Sequence, residues 1–262
     1  MRLLTDPDDV LRALDRHVAA DPIAFTVAGT MINAIGHDRS HCLVLRADEG
    51  LAARSSDHTP LAIWGSWRPG ELDAAARLAR AEPALAVLNG EPEPVQGLAD
   101  RLGARGLRTP MRLYRLDELA TPTVPGFARP AESGDRALLM TWIERFCVDS
   151  HVPPADAGRW ADGTLAGERA LWLWLDRDDR PVSMAAHSSP HYGSARVGPV
   201  YTPDDARGHG YGSAVTAAVT AQILALDAVP VLFTDLGNPV SNSIYQRLGY
   251  YPVRDFLEIQ LS

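Results

Sequence analysis

Two stretches late in the 262-residue sequence carry residue types at spacings that can do chemistry. The first is Arg207-Gly-His-Gly-Tyr-Gly-Ser213, which follows an apolar run and leads into the helical pattern Val215, Ala218, Val219, Gln222, Ile223, Leu226. Glycines just ahead of a helix let successive N–H groups converge without a Cβ in the way. The first helical turn adds unpaired donors and the positive end of the helix dipole. Together they make a cradle for a pyrophosphate that needs no lysine. Gly208, Gly210 and Gly212 are spaced G-x-G-x-G rather than G-x-G-x-x-G, which argues against a dinucleotide fold of the doubly wound type. The second stretch runs from Leu232 to Pro252 and contains Asp235, Asn238, Asn242 and Tyr245. The last three lie four and three residues apart and share one helical face.

Those residues need elements to hold them. Asn238 is placed to cap a helix, Pro239 to occupy its first position and Gly249 to end it. Ahead of it, helical spacing predicts Tyr211–Leu226, and strands are expected at Leu171–Leu175, Pro181–His187, Ala195–Tyr201, Val231–Thr234 and Val253–Gln260. Gly198-Pro199 marks a bulge in the third of them, because Pro cannot donate to a ladder. Helices are expected from about Ser133, with Leu139, Trp142, Ile143 and Phe146 on one face, and over Pro154–Leu165. Upstream, Asp6 caps a helix with Pro7 at its first position, and a second helix follows Asp21-Pro22 to about Gly36. Strands at His41–Arg46, Leu51–Ser55 and Leu61–Gly65, a helix Glu71–Arg80, a strand Ala84–Leu88, a helix Val95–Ala104 and a strand Met111–Leu116 complete that half. Both halves therefore have one order: helix, helix, three strands, helix, strand, helix, strand. The stretch Asp117–Pro130 carries three prolines and a glycine, which cannot sustain a helix, and reads as an extended linker between residues 1–118 and 126–262.

Composition narrows the function. The 25 Lys and Arg residues are all Arg, so Walker-A loops, Schiff-base lysines and lysine-dependent kinase sites are excluded. A net charge of −8 argues against a nucleic-acid partner. Cys42 and Cys147 stand far apart without partner motifs, so neither a disulfide framework nor a metal site is expected, and a reducing cytoplasm suits them. No apolar run is long enough to cross a bilayer and no signal-peptide pattern opens the sequence, so no membrane partner is expected.

The two stretches resemble the acetyl-CoA signature of the GCN5-related N-acetyltransferases. Arg207, Gly210 and Gly212 match the loop pattern [RQ]-x-x-G-x-[GA], and Asn238, Tyr245, Gly249 and Tyr250 match the second segment. The resemblance implies an α/β (α+β) fold with a mixed sheet whose two central parallel strands splay apart, here in tandem with a degenerate copy in the first half. It implies acetyl-CoA as co-substrate, with its pantetheine arm in the gap beside Val200, Tyr201 and Thr202. The N–H groups of Gly208, His209, Gly210, Tyr211, Gly212 and Ser213 would hold the pyrophosphate, and Asn238 and Asn242 would lie along the pantetheine. Tyr245 matches the general acid that protonates the leaving thiolate. For the base, Asp235 ranks ahead of His187, Glu144 and His151, each of which also has a structural explanation, Asp235 as a turn former. Trp172 and Trp174 share a strand face and read as core or interface. In the first half the matching position reads Ser66-Trp-Arg-Pro-Gly-Glu-Leu72, where a carboxylate at the helix start would compete with phosphate. The expectation is transfer of an acetyl group to a small-molecule or peptide amine, by a monomer or homodimer. The alternative is a non-catalytic acyl-CoA sensor or interaction module. Transfer of aminoacyl groups from tRNA, known among two-domain relatives, is disfavoured by the intact cradle and the acidic charge.

Overall fold

The computed structural model describes residues 1–37, 42–57, 59–82, 84–151 and 156–261. In chain order the elements are β1 (Arg2–Leu4), α1 (Pro7–Ala20), α2 (Thr26–His37), β2 (Leu43–Arg46), β3 (Glu49–Arg54), β4 (Leu61–Ser66), α3 (Pro69–Ala79), β5 (Val87–Gly90), α4 (Pro92–Leu102), β6 (Arg108–Leu116), β7 (Phe127–Pro130), α5 (Arg136–Asp149), α6 (Ala157–Leu165), β8 (Arg169–Leu175), β9 (Pro181–Ser188), β10 (Ser194–Tyr201), α7 (Tyr211–Ala225), β11 (Val229–Asp235), α8 (Pro239–Arg247) and β12 (Tyr250–Gln260). The starts expected at His41 and Pro154 lie outside the described residues. The chain forms two compact units. One comprises Met1–Leu113, Thr234–Pro239 and Pro252–Ser262, the other Tyr114–Phe233 and Val240–Tyr251.

The first unit begins as its residues dictate. Asp6 caps α1 by accepting from Asp8 N and Asp9 N, and Val10, Ala13, Leu14 and Val18 are buried along one face. Its strands run in the order β1-β2-β3-β4-β5-β12. Neighbours are antiparallel except β4 and β5, which are parallel, as a helical crossover through α3 requires. A core of Leu45, Leu61, Ile63, Leu72, Leu88, Val95, Leu98 and Ile259 joins the sheet to α3 and α4. The strand expected at Ala84 starts instead at Val87, because Leu85 N closes a turn onto Glu82 O at 3.0 Å.

The second unit repeats the plan. Its strands lie in the order β11-β10-β9-β8-β7, antiparallel except for the parallel pair β10 and β11, which α7 connects. On one face Ala185, Ala195, Val197 and Leu232 pack with Val215, Val219 and Ile223 of α7, while on the other Leu171, Leu173, Met184 and Ala186 pack with Leu139, Trp142 and Ala161 of α5 and α6. The two halves thus share element order and pairing, with one short strand in each, β1 and β7, that periodicity does not announce. β7 falls inside the stretch read as linker. Its Phe127 pairs with Leu175 and its Pro130 with Trp172, and Pro is tolerated because β7 is an edge strand. The linker's beginning is also tied down, with Asp117 N on Gly249 O at 3.0 Å and Ala120 N on Leu248 O at 3.1 Å.

The final strands are not where the sequence order alone would put them. Leu257–Gln260 of β12 pair with Val87–Gly90 of β5, so late residues complete the first unit's sheet. Tyr114 and Leu116 of β6 pack in the second unit's core with Leu232, Leu248 and Tyr250.

Candidate functional site

The parallel strands of the second unit separate partway along their length. Their registered pairs run from Ser194 with Val229 to Val197 with Leu232 and then stop, although β10 continues to Tyr201 and β11 runs on beyond Leu232. On its other side β10 loses a residue of register against β9 between Val197 and Val200, at the Gly198-Pro199 position expected to bulge. In the first unit the matching pairs run to the last residue of β5: Ile63 pairs with Gly90, Glu91 N donates to Ile63 O at 2.9 Å, and a Cβ on Gly90 would lie 1.9 Å from that oxygen.

Past the separation, β10 turns into the glycine loop. Gly208 and Gly210 have φ of +82° and +83°, a left-handed region that glycine adopts without a steric cost. Gly210 is the N-cap of α7, no side chain caps it, and the first turn holds no acidic residue. The first helical bond runs from Ala214 N to Gly210 O at 3.0 Å, so the N–H groups of Tyr211, Gly212 and Ser213 precede the helical ladder. His209 and Tyr211 have ring centroids 5.6 Å apart beside it. The first unit's α3 differs in kind. Glu71 in its first turn accepts from Arg68 N at 2.9 Å and Asp48 N at 3.1 Å, and those two bonds hold its carboxyl below its ordinary range. A protein carboxylate already sits where an anion would go.

The loop is braced from below. Thr202 Oγ1 lies 2.8 Å from Ser183 Oγ, and Ser183, fully buried, also donates to Tyr201 O at 3.0 Å. A Cβ on Gly212 would come within 3.0 Å of Thr202 Oγ1, so this close approach needs glycine. Arg207 turns its guanidinium onto protein carboxylates, Asp149 at 2.6 Å and Asp204 at 2.7 Å, and gives its Nε to Thr202 O at 3.0 Å. These pairs are half-exposed and contribute position more than stability. Val124 of the linker packs on Gly210, 3.1 Å from where a Cβ would stand. Tyr201 is buried with its ring centroid 5.9 Å from that of Trp142, and burial raises its hydroxyl while Arg145 counters. Val200 pairs with Ala185 and borders the core on the α7 side.

On α8, Asn242 accepts a bond from the buried Tyr114 hydroxyl at 3.1 Å, and Gln246 Nε2 donates to that same hydroxyl at 3.5 Å. Tyr245 is half-buried, with its ring edge-on to Tyr250 at 6.2 Å, and burial pushes its hydroxyl up to about 12. The Tyr250 hydroxyl lies 2.7 Å from Thr220 Oγ1 inside the core. Gly249 ends the helix at φ +94°, and a Cβ there would meet Glu118 O at 1.8 Å.

The cradle residues and Val200, Tyr201, Thr202, Asn242 and Tyr245 fall in the second unit, while Asp235 and Asn238 belong to the first. Asp235 Oδ1 accepts from Gly237 N at 2.7 Å, and Asn238 N donates to Asp235 O at 3.1 Å, the geometry of a turn-forming aspartate. His187 is buried on β9 with Nδ1 2.9 Å from Ser188 O, whereas Glu144 and His151 are exposed. Trp172 and Trp174 are partly buried against the core that holds α7, with Trp174 Nε1 also bonded to Pro125 O at 3.2 Å. The Tyr114 contact to Asn242 and the seat of Val124 on Gly210 had no signal in the sequence, since each joins residues far apart in it. Among the described residues, no helix is long and apolar enough to cross a membrane.

A family model described as FR47-like protein matches residues 176–256. None of the curated proteins matches the chain in sequence. Among solved structures, a GCN5-related N-acetyltransferase from Kribbella flavida is 19% identical with a TM-score of 0.61, over 91% of this chain and 95% of that one. A Drosophila protein is 13% identical with a TM-score of 0.68, over 100% and 98%. A tandem GNAT protein from the clavulanic acid biosynthesis pathway is 14% identical with a TM-score of 0.60, over 100% and 99%.

Proposed function

For a chain with the tandem fold of the GCN5-related N-acetyltransferases and an FR47-like match over residues 176–256, we propose an acyltransferase that uses acetyl-CoA and acylates a primary amine. The observation that carries this reading is the contrast between the two units. One has parallel strands that part and a helix N-terminus without a carboxylate, and the other has strands paired to the end of β5 and Glu71 in the first turn of the helix between them.

The second unit's residues suit the co-substrate. The N–H groups from Gly208 to Ser213 present donors without Cβ obstruction at the open side of Gly208, and the α7 dipole favours a diphosphate there. Val200, Tyr201 and Thr202 would border the pantetheine arm. Arg207, held by Asp149 and Asp204, shapes the loop rather than offering its charge. When bound, acetyl-CoA supplies the activated acyl group. Tyr245 holds a proton at its hydroxyl and is a donor at neutral pH, because burial disfavours its anion. Asn242, fixed by Tyr114, offers its amide to the same helix face. Asp235 remains the first candidate for the base and Asn238 for a second amide contact.

Calorimetry of the full chain with acetyl-CoA, followed by a free-thiol assay over a panel of amines, tests the proposal. Binding with release of CoA in the presence of one acceptor class is expected. Binding without release under any amine would favour the sensor alternative, and no binding would overturn both.

A further inference from the structure

On the first unit, an open cavity of about 360 Å³ is lined by Met1, Arg2, Arg46, Ala47 and Asp48. Arg2 and Arg46 are registered partners across the antiparallel pair β1 and β2, so their Cβ atoms stand about 5 Å apart on one face of the sheet. Alternation sets which face. Leu43 and Leu45 pack with the core that holds α3 and α4, so Arg46, like the buried Val44, points to the opposite side.

Like charges directly opposite on a strand pair are unfavourable. A carboxylate between them would offset that, yet neither guanidinium has an ion-pair or hydrogen-bond partner among the described residues. Asp48, the acid that lines the cavity, is committed elsewhere. Its carboxylate pairs with Arg68, and its N–H donates to Glu71 Oε1 at 3.1 Å. Two cations therefore stand side by side at a cavity wall, and their counter-charge has to come from outside the protein.

The chemistry of that anion follows from the pair. One guanidinium fork occupies both oxygens of a carboxylate. A phosphate monoester brings three oxygens and a charge of about −1.5 to −2, enough for two forks. The cavity lies within the range of small-molecule pockets, about 300–1,000 Å³, so it has room for more than the phosphate group. We propose that Arg2 and Arg46 bind the phosphate of a small phosphate monoester, whose body rests against Met1 and Ala47. The site adjoins, through Asp48, the helix start that Glu71 closes. The first unit thus binds phosphate with guanidinium forks where the second offers backbone N–H groups. Both arginines are exposed, so the affinity is modest and falls with salt.

The full chain is titrated by calorimetry at low salt with ribose 5-phosphate, ribose, inorganic phosphate and succinate. Ribose 5-phosphate is expected to bind at least tenfold more tightly than ribose. Arg2→Gln and Arg46→Gln should each weaken it tenfold or more, and Arg46→Lys should keep part of the affinity. A wild type that binds ribose 5-phosphate no better than ribose overturns the proposal without recourse to any variant, as does a double Gln variant that binds like wild type. Tighter binding of succinate overturns the choice of phosphate, and inorganic phosphate bound as tightly as the ester overturns the choice of a metabolite. Acetyl-CoA titrated into the same samples separates this site from the α7 loop. Arg46→Gln should leave acetyl-CoA affinity unchanged, and Gly208→Asp should leave ribose 5-phosphate affinity unchanged. Loss of ribose 5-phosphate binding in Gly208→Asp instead would place that binding at the loop and overturn the arginine site.

Discussion

Gly208 gives direct access to the question of whether the loop ahead of α7 receives phosphate. A Cβ there meets nothing within 4 Å, and φ is +82°. Asn and Asp are the residues that best tolerate this region after glycine, and they are nearly isosteric. Gly208→Asn and Gly208→Asp therefore share the backbone cost and differ by one charge. Gly210 would be a poor choice, because a Cβ there runs into Val124 at 3.1 Å. In this exposed loop, a carboxylate roughly 6 Å from a phosphate charge is repelled by ~0.7 kcal/mol at the dielectric of water. Two such charges give ~1.4 kcal/mol, a tenfold change in Kd. Calorimetry with acetyl-CoA should show the Asp variant binding about tenfold more weakly than the Asn variant, with the gap shrinking in 1 M salt as the Debye length falls to about 3 Å. Equal affinities at low salt would remove the cradle from the argument.

Tyr245→Phe should lower turnover by ~10²–10⁴-fold with acetyl-CoA affinity unchanged, and undiminished turnover under chemistry-limited conditions would reduce Tyr245 to packing. Because burial lifts its hydroxyl to about 12, an alkaline fall in kcat below pH ~11 must come from another group. For the same reason, stability that rests on neutral Tyr245 and Tyr250, both raised by burial, is complete below the unfolded value of about 10 and is lost as pH climbs past it. Asp235→Asn keeps an acceptor for Gly237 N while deleting the base, so kcat should fall by ~10² or more with Tm near wild type; full turnover would leave Asp235 a turn former. Gly249→Ala forces a Cβ toward Glu118 O and should cost ~2–4 kcal/mol in urea unfolding, and a midpoint within error of wild type would refute that steric account.

Much of this was legible where the signal is local. The cap at Asp6, the start of α8 at Pro239, its end at Gly249 and the break at Gly198-Pro199 each follow from what one residue type can or cannot do with its own backbone. Glu71 was readable as a competitor for phosphate, because a carboxylate in a first helical turn is a local fact. What escaped was long-range or too short to show a period. β1 has three residues and β7 four, beside prolines. Arg207 matched a loop pattern, yet its guanidinium goes to Asp149, 58 residues away.

The pairing of β12 with β5 sets a timetable for synthesis. Asn89 and Glu258, bonded across those strands, are 169 residues apart, and at 5–20 residues per second the ribosome needs roughly 8–35 s to make the difference. Until then β5 presents open N–H and C=O groups along one side, the kind of edge that recruits strands from other chains. The first unit is thus begun early and closed late, and nucleation confined to its first 113 residues leaves its sixth strand missing. A stop codon before Leu257 would injure the half of the protein made first.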